Sequence, residues 1–97
     1  MSGNPTAHEP YALRTAPTVR RALAQRLPEA VVVVAAYEFM TGPLVCEPYR
    51  VGKRLLAPLA DRFSARRGTY RIIYRIDDAT RTVTVVDVDH RRDAYRV

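Results

Sequence analysis

Apolar and polar positions alternate most regularly between Thr69 and Asp77. Tyr70, Ile72, Tyr74 and Ile76 fall on one side of an extended chain, and Arg71, Ile73 and Arg75 on the other. That period of two is the signature of a strand with one buried face. Asp78-Ala79-Thr80-Arg81 supplies turn residues, and Thr82 to Asp89, rich in Val and Thr, reads as the partner strand of a hairpin. Upstream, Pro58 opens an extended segment that runs to Arg66 and closes on the turn signal Arg67-Gly68. Tyr11 to Arg14 fits a short first strand.

Helical spacing dominates the first half. Pro17 suits the first turn of a helix, where its missing N–H costs nothing. Val19, Leu23 and Leu27 then recur four residues apart as one apolar stripe, with Arg20, Arg21 and Arg26 off it. Pro28-Glu29 opens a second element and Gly42-Pro43 closes it. Its centre, Ala30 to Tyr37, holds four consecutive valines, which favour a strand. The length between the prolines and the start signal favour a helix, and helix is the expectation adopted. Apolar nearly all round, it should pack between other elements. Leu44 to Leu56, punctuated by Pro48 and Gly52, reads as a loop or short irregular helix, and Arg91 to Arg96 as a final helical turn. The order β-α-α-β-β-β predicts an α+β domain. Its antiparallel, mixed-edge sheet of about four strands would carry an N-terminal helical hairpin on one face.

Composition narrows this picture. A chain of 97 residues is one domain, expected over 11–97 behind a polar tail at 1–10. Cys46 is the single cysteine, so an internal disulfide framework is excluded and a reducing cytoplasm is the natural setting. With His8 and His90 far apart, neither a metal site nor a cofactor is implied. The longest apolar run, Ala30 to Tyr37, falls far short of the ~20 residues that span a membrane. The first ten residues lack the basic start and apolar centre of a secretory signal.

Charge carries the functional signal. The chain is +6 overall, yet Arg50 to Arg75 holds eight basic residues and one acid, Asp61, for +7. The whole basic character therefore sits in one central region, on strands that hold side chains in fixed directions. A polyanion such as RNA is the partner this suggests. Cutting RNA at its own 2′-hydroxyl requires that the hydroxyl lose a proton, the phosphorus charge be stabilised and the departing 5′-oxygen gain a proton. Arginine suits the second task with its fixed fork, histidine the first or third, and tyrosine can stack on a base. Taken singly, a strand arginine is more often solvated surface and a histidine more often structural. Tyr70 and Tyr74 share a face with Ile72 and Ile76 and read as core. Asp87 and Asp89 share a strand face, a weak metal signal.

Three segments together carry a resemblance. They are Tyr49-Arg50-Val51-Gly52-Lys53, Phe63 through Tyr74 (FSARRGTYRIIY), and Val88 through Arg96 (VDHRRDAYR). In this order they resemble the RelE/ParE toxin superfamily, most of all its actinobacterial RelE-type branch, over roughly Tyr11 to Val97. The resemblance implies a toxin of a type II toxin–antitoxin system that enters the ribosome and cleaves mRNA. It implies a cognate, RelB-like antitoxin held in a hetero-oligomer. By matching position, Arg71 would stabilise the phosphorane, Arg91 would assist the leaving oxygen, Tyr95 would orient or stack on a nucleotide, and His90 could exchange a proton. Arg50, Lys53, Arg54, Arg62, Ser64, Arg66 and Arg67 would bind RNA.

The match departs from the family at one function. Arg62 and Ser64 stand where one RelE type carries lysines, and Arg54-Leu55-Leu56-Ala57 offers no carboxylate in the loop where other relatives use one. Arginine stays protonated above pH ~12 and is a poor base, so the proton acceptor is unassigned and His90 is the best candidate. Two other readings keep the fold: a DNA gyrase inhibitor of the ParE kind, and an RNA- or ribosome-binding homologue with weak catalysis.

Overall fold

The computed structural model describes residues 9–25 and 30–90. Residues 1–8 of the tail expected at 1–10, residues 26–29 and the expected C-terminal helical turn at 91–96 lie outside the described residues. Strand β1 (Ala12–Thr15) leads into helix α1 (Pro17–Gln25), followed by helix α2 (Ala30–Phe39). Strands β2 (Lys53–Arg54), β3 (Phe63–Arg67), β4 (Tyr70–Asp77) and β5 (Thr82–His90) complete one five-stranded sheet ordered β1-β5-β4-β3-β2. The expected α+β class holds. The sheet has one strand more than expected, because Lys53 and Arg54 pair antiparallel with Ser64 and Phe63. A two-residue strand is too short to show a period in sequence.

Parallel pairing of β1 with β5 makes the sheet mixed, with Leu13 opposite Val83 and Thr15 opposite Val85. Between them α1 crosses the sheet and buries Val19 and Ala22. These join Ile72, Tyr74, Val83, Val85 and Val88 in one core, so the alternation read on β4 is the one the fold uses. Tyr74 is fully buried, and its hydroxyl donates to the Pro48 carbonyl at 2.5 Å. That bond ties the segment after the helices to the middle of the sheet.

Helix α2 departs from expectation. It buries Ala36 and Phe39 and packs Val32 and Val33 against the core, but Val31, Val34 and Tyr37 are 68%, 54% and 59% exposed. It therefore covers the core from one side instead of lying between layers. Gly42-Pro43 does not end it. The chain widens into a π-turn, Met40–Leu44, which tolerates Pro43 and lets Met40 and Leu44 reach the core, and helical geometry continues to Cys46. Among the described residues, no helix is long and apolar enough to cross a membrane.

Candidate nucleic-acid interface

The face of the sheet opposite the buried Tyr70, Ile72 and Tyr74 is where charge collects. Register builds it in two rows. Arg66, Arg71 and Asp89 are successive partners across β3, β4 and β5. Lys53, Ser64, Ile73 and Asp87 are successive partners across β2 to β5. Arg66 directly opposite Arg71 is a like-charge pair, unfavourable for a free sheet and relieved by an anion between them.

A β-bulge keeps the acids on this face. Ile73 pairs with Asp87 and Tyr74 with Val85, so Val86 has no partner across the ladder. Strict alternation from Val83 through Val85 would carry Asp87 and Asp89 inward. The extra residue resets the alternation and buries Val88 instead. Helix α1 secures the bulge: the Thr18 hydroxyl donates to the Val86 carbonyl at 3.0 Å, and the Ala16 N–H to the Val85 carbonyl at 2.9 Å.

Two cavities lie on this surface. The first, about 570 Å³, brings together Arg62, Arg71, Asp87 and Asp89, with Leu55 and Leu59 as apolar walls. Arg71 Nη2 lies 3.8 Å from Asp89 Oδ2. The Nε groups of both Arg62 and Arg71 are buried without a hydrogen-bond partner. Two such donors in one concave site are unusual, since a buried donor without an acceptor costs about 1–3 kcal/mol. An anion with several acceptor oxygens satisfies both. The second cavity, about 600 Å³, gathers Arg50, Lys53, Arg54, Ser64 and Arg66 and shares Leu55 with the first.

The expected site residues thus separate. Arg62 and Arg71 line the first cavity, and Arg50, Lys53, Arg54, Ser64 and Arg66 the second. Arg54 also spans structural contacts: its guanidinium lies 4.8 Å from the centre of the Phe63 ring and donates to the Ala60 carbonyl at 2.7 Å. Arg67 is in neither cavity's lining; it pairs with Tyr70 in register and its guanidinium sits 4.6 Å over the Phe39 ring. His90 ends β5 as the partner of Tyr70, so Asp89, not His90, is the partner of Arg71. Arg91 and Tyr95 lie outside the described residues. Among the described residues, no group of three His, Cys, Asp or Glu could hold a metal ion.

Sequence reasoning noted Asp87 and Asp89 only as a weak metal signal. Their place beside Arg71 depends on the β4–β5 register and the bulge. The doubled valine at Val85-Val86 before two alternating acids is the one local hint of that bulge.

A third feature fixes the loop that carries Arg50 and Lys53. The Asp78 carboxylate accepts hydrogen bonds from the hydroxyls of Tyr11, at 2.6 Å, and Tyr49. These bonds hold the Asp78 carboxyl below its ordinary range, Tyr11's bond contributing most. The bond to Asp78, then burial, pushes the Tyr49 phenol up to about 12. Tyr49 also meets Phe63 edge to face at 5.6 Å. The hairpin turn thereby anchors the start of the basic loop.

Comparison with known proteins agrees with this fold. The model of the family described as ParE toxin of type II toxin–antitoxin system, parDE, matches residues 7–95. Toxin RelG of Mycobacterium tuberculosis (strain ATCC 25618 / H37Rv) is 53% identical over 87 residues, covering 90% of this chain and 98% of that protein. Toxin RelE of the same organism is 42% identical over 88 residues, covering 91% and 89%. The crystal structure of the RelBE2 toxin–antitoxin complex from M. tuberculosis superposes with a TM-score of 0.81 at 52% identity, covering 86% of this chain and 100% of that one. The isolated E. coli RelE toxin, at 18% identity and TM-score 0.63 over 82% and 83% of the chains, shares the fold.

Proposed function

Because the chain belongs to the RelE/ParE superfamily of type II toxin–antitoxin toxins, we propose that it is a ribosome-dependent endoribonuclease that cleaves mRNA and arrests translation. The observation that carries this reading is the first cavity. Two arginines, Arg62 and Arg71, line it with buried Nε donors that make no hydrogen bond, Arg62 Nε having only the Asp61 carboxylate at 3.9 Å. A phosphodiester supplies acceptors for both, and charge developing on a pentacoordinate phosphorus strengthens those bonds in the transition state.

Arg71 stabilises the phosphorane, with Arg62 beside it. Arg50, Lys53, Arg54, Ser64 and Arg66 hold the flanking backbone in the second cavity. By the family match Arg91 assists the leaving oxygen, Tyr95 orients or stacks on a nucleotide, and His90 exchanges a proton. The partner that silences the protein is a RelB-like antitoxin in a hetero-oligomer, as in the toxin–antitoxin complexes of its structural relatives. An acidic or amphipathic segment of that partner complements the positive groove. The site of action is the cytoplasm, where ribosomes are.

Purified protein added to translating ribosomes should cut the message within the ribosome, with 5′ ends mapped by primer extension. Arg71→Ala should abolish the cuts. A message left intact by the wild type, or cut equally by Arg71→Ala, refutes the reading. The second reading is inhibition of DNA gyrase, favoured by the ParE description of the matching family. Gyrase-linked DNA breaks in a supercoiling assay, with mRNA intact, would put it first.

A further inference from the structure

Attack by a 2′-hydroxyl on phosphorus needs a proton acceptor beside the groups that hold the phosphate. Asp89 occupies that place. It is the register partner of Arg71, its Oδ2 lies 3.8 Å from Arg71 Nη2, and it lines the same cavity as Arg62 and Arg71. We propose that the Asp89 carboxylate is the group that takes the proton from the attacking 2′-hydroxyl. The assignment rests on the ribonuclease reading of the site.

Three observations favour Asp89. At 3.8 Å its contact with Arg71 is an ion pair, longer than a hydrogen bond. Any phosphate bound by Arg71 therefore lies next to this carboxylate. The neighbouring acid is placed differently: Asp87 pairs with Ile73, and its Oδ1 accepts the Val88 N–H at 2.9 Å. Finally, the bulge at Val86 and the Thr18 bond that secures it set Asp89 on the face of Arg71.

The electrostatics suit the task. Arg71 from β4 faces the carboxylate, while Arg62 from the segment before β3, which pairs with Asp61 at 3.9 Å, and Asp87 from its own strand line the same cavity. Helix α1 contributes the neutral Thr18, and the segment between β2 and β3 contributes Leu55 and Leu59.

The step balances without a further reactant. The O2′–H bond breaks and its proton passes to an Asp89 oxygen as the O2′–P bond forms. The P–O5′ bond then breaks with its electron pair on O5′, which takes a proton from solvent water. The hydroxide so formed removes the proton from Asp89. The products are a 2′,3′-cyclic phosphate and a 5′-hydroxyl.

The test is single-turnover cleavage of a ribosome-bound message across acid to neutral pH, with ribosome binding and thermal melting measured alongside. Wild type should show a rate that rises with pH along an acid limb. Asp89→Asn should bind and melt like wild type, cleave about 10²–10⁴-fold more slowly and lose that limb. Asp89→Glu should recover part of the rate with the limb displaced upward. If Asp89→Asn keeps the limb and only the plateau falls, Asp89 merely positions Arg71 and the assignment is overturned. Loss of the limb in Asp87→Asn instead overturns it too. Should Asp89→Asn fail to fold, an unmoved limb in Asp89→Glu is the overturning result. A wild type that never cuts refutes the ribonuclease reading itself and the assignment with it. A wild type that cuts while the variants give one of these overturning results refutes the assignment alone.

Discussion

Gly52 sits against the hydroxyl of Tyr74, so close that a Cβ added to Gly52 would strike it, and would also lie 2.8 Å from the Ser64 carbonyl oxygen. Tyr74 in turn holds the Pro48 carbonyl. The glycine of the Arg50-Val51-Gly52-Lys53 loop is thus required by contact with the core, and it lets Lys53 reach its pairing with Ser64. Gly52→Ala should destabilise the fold by about 1–3 kcal/mol through overpacking. Tyr74→Phe should cost a similar ~1–3 kcal/mol by leaving the buried Pro48 carbonyl without its donor. Denaturant unfolding of the two variants measures both.

As the two arginines proposed to hold one phosphate, Arg71 and Arg62 should each matter to rate more than to folding. Arg71→Lys and Arg62→Ala should each slow cleavage about 10²–10³-fold, as expected for loss of a preorganised donor to developing charge. Their melting temperatures should stay near wild type, because neither side chain carries the core. A single-turnover assay at saturating ribosomes, paired with calorimetry, separates the two quantities.

Arg67 offers a contrast within the same basic run. Its guanidinium lies over Phe39, on the side of the sheet where α2 packs. Arg67→Ala should leave cleavage unchanged and lower stability by about 0.5–1 kcal/mol, the worth of an exposed cation–π contact.

Asp78 should make stability fall in acid. Its carboxyl titrates lower in the folded protein than in the unfolded chain, because it accepts bonds from Tyr11 and Tyr49. Its contribution is therefore present above the ordinary carboxylate range and is lost as pH falls through the folded value. Asp78→Asn, unable to titrate, should flatten the stability curve in that window. Acid unfolding followed by circular dichroism compares the slopes.

The alkaline side has the opposite sign. Tyr49, bonded to Asp78 and partly desolvated, and Tyr74, buried in the core, both ionise near 12 in the folded protein, above their ordinary 10. Their contribution is full below pH 10 and is lost as pH rises towards 12. Tyr11 and Tyr70 are raised as well, so tyrosinate absorbance should show several late-titrating phenols, and Tyr49→Phe and Tyr74→Phe should each remove one from the group near 12.

Much of this was legible in the chain itself, where the determinant was local. The period of two at Tyr70, Ile72 and Tyr74 names a strand and its buried face, because alternate side chains of an extended backbone must point apart. The basic run from Arg50 to Arg75 names a polyanion surface, because seven net charges have to be exposed. Pairings between distant segments were decided by tertiary structure. Ala12–Thr15 lies parallel to Thr82–Val85, and nothing in either segment states that partner. Val31, Val34 and Tyr37 are apolar like a buried helix, yet they are exposed because α2 covers the core from one side. Arg67 and Arg71 belong to one basic run, but the turn at Gly68 and the pleat send one to Phe39 and the other to the cavity. One unpaired residue, Val86, set Asp89 opposite Arg71. Register is a property of two strands together, and a bulge shifts it by a residue with little trace in either sequence.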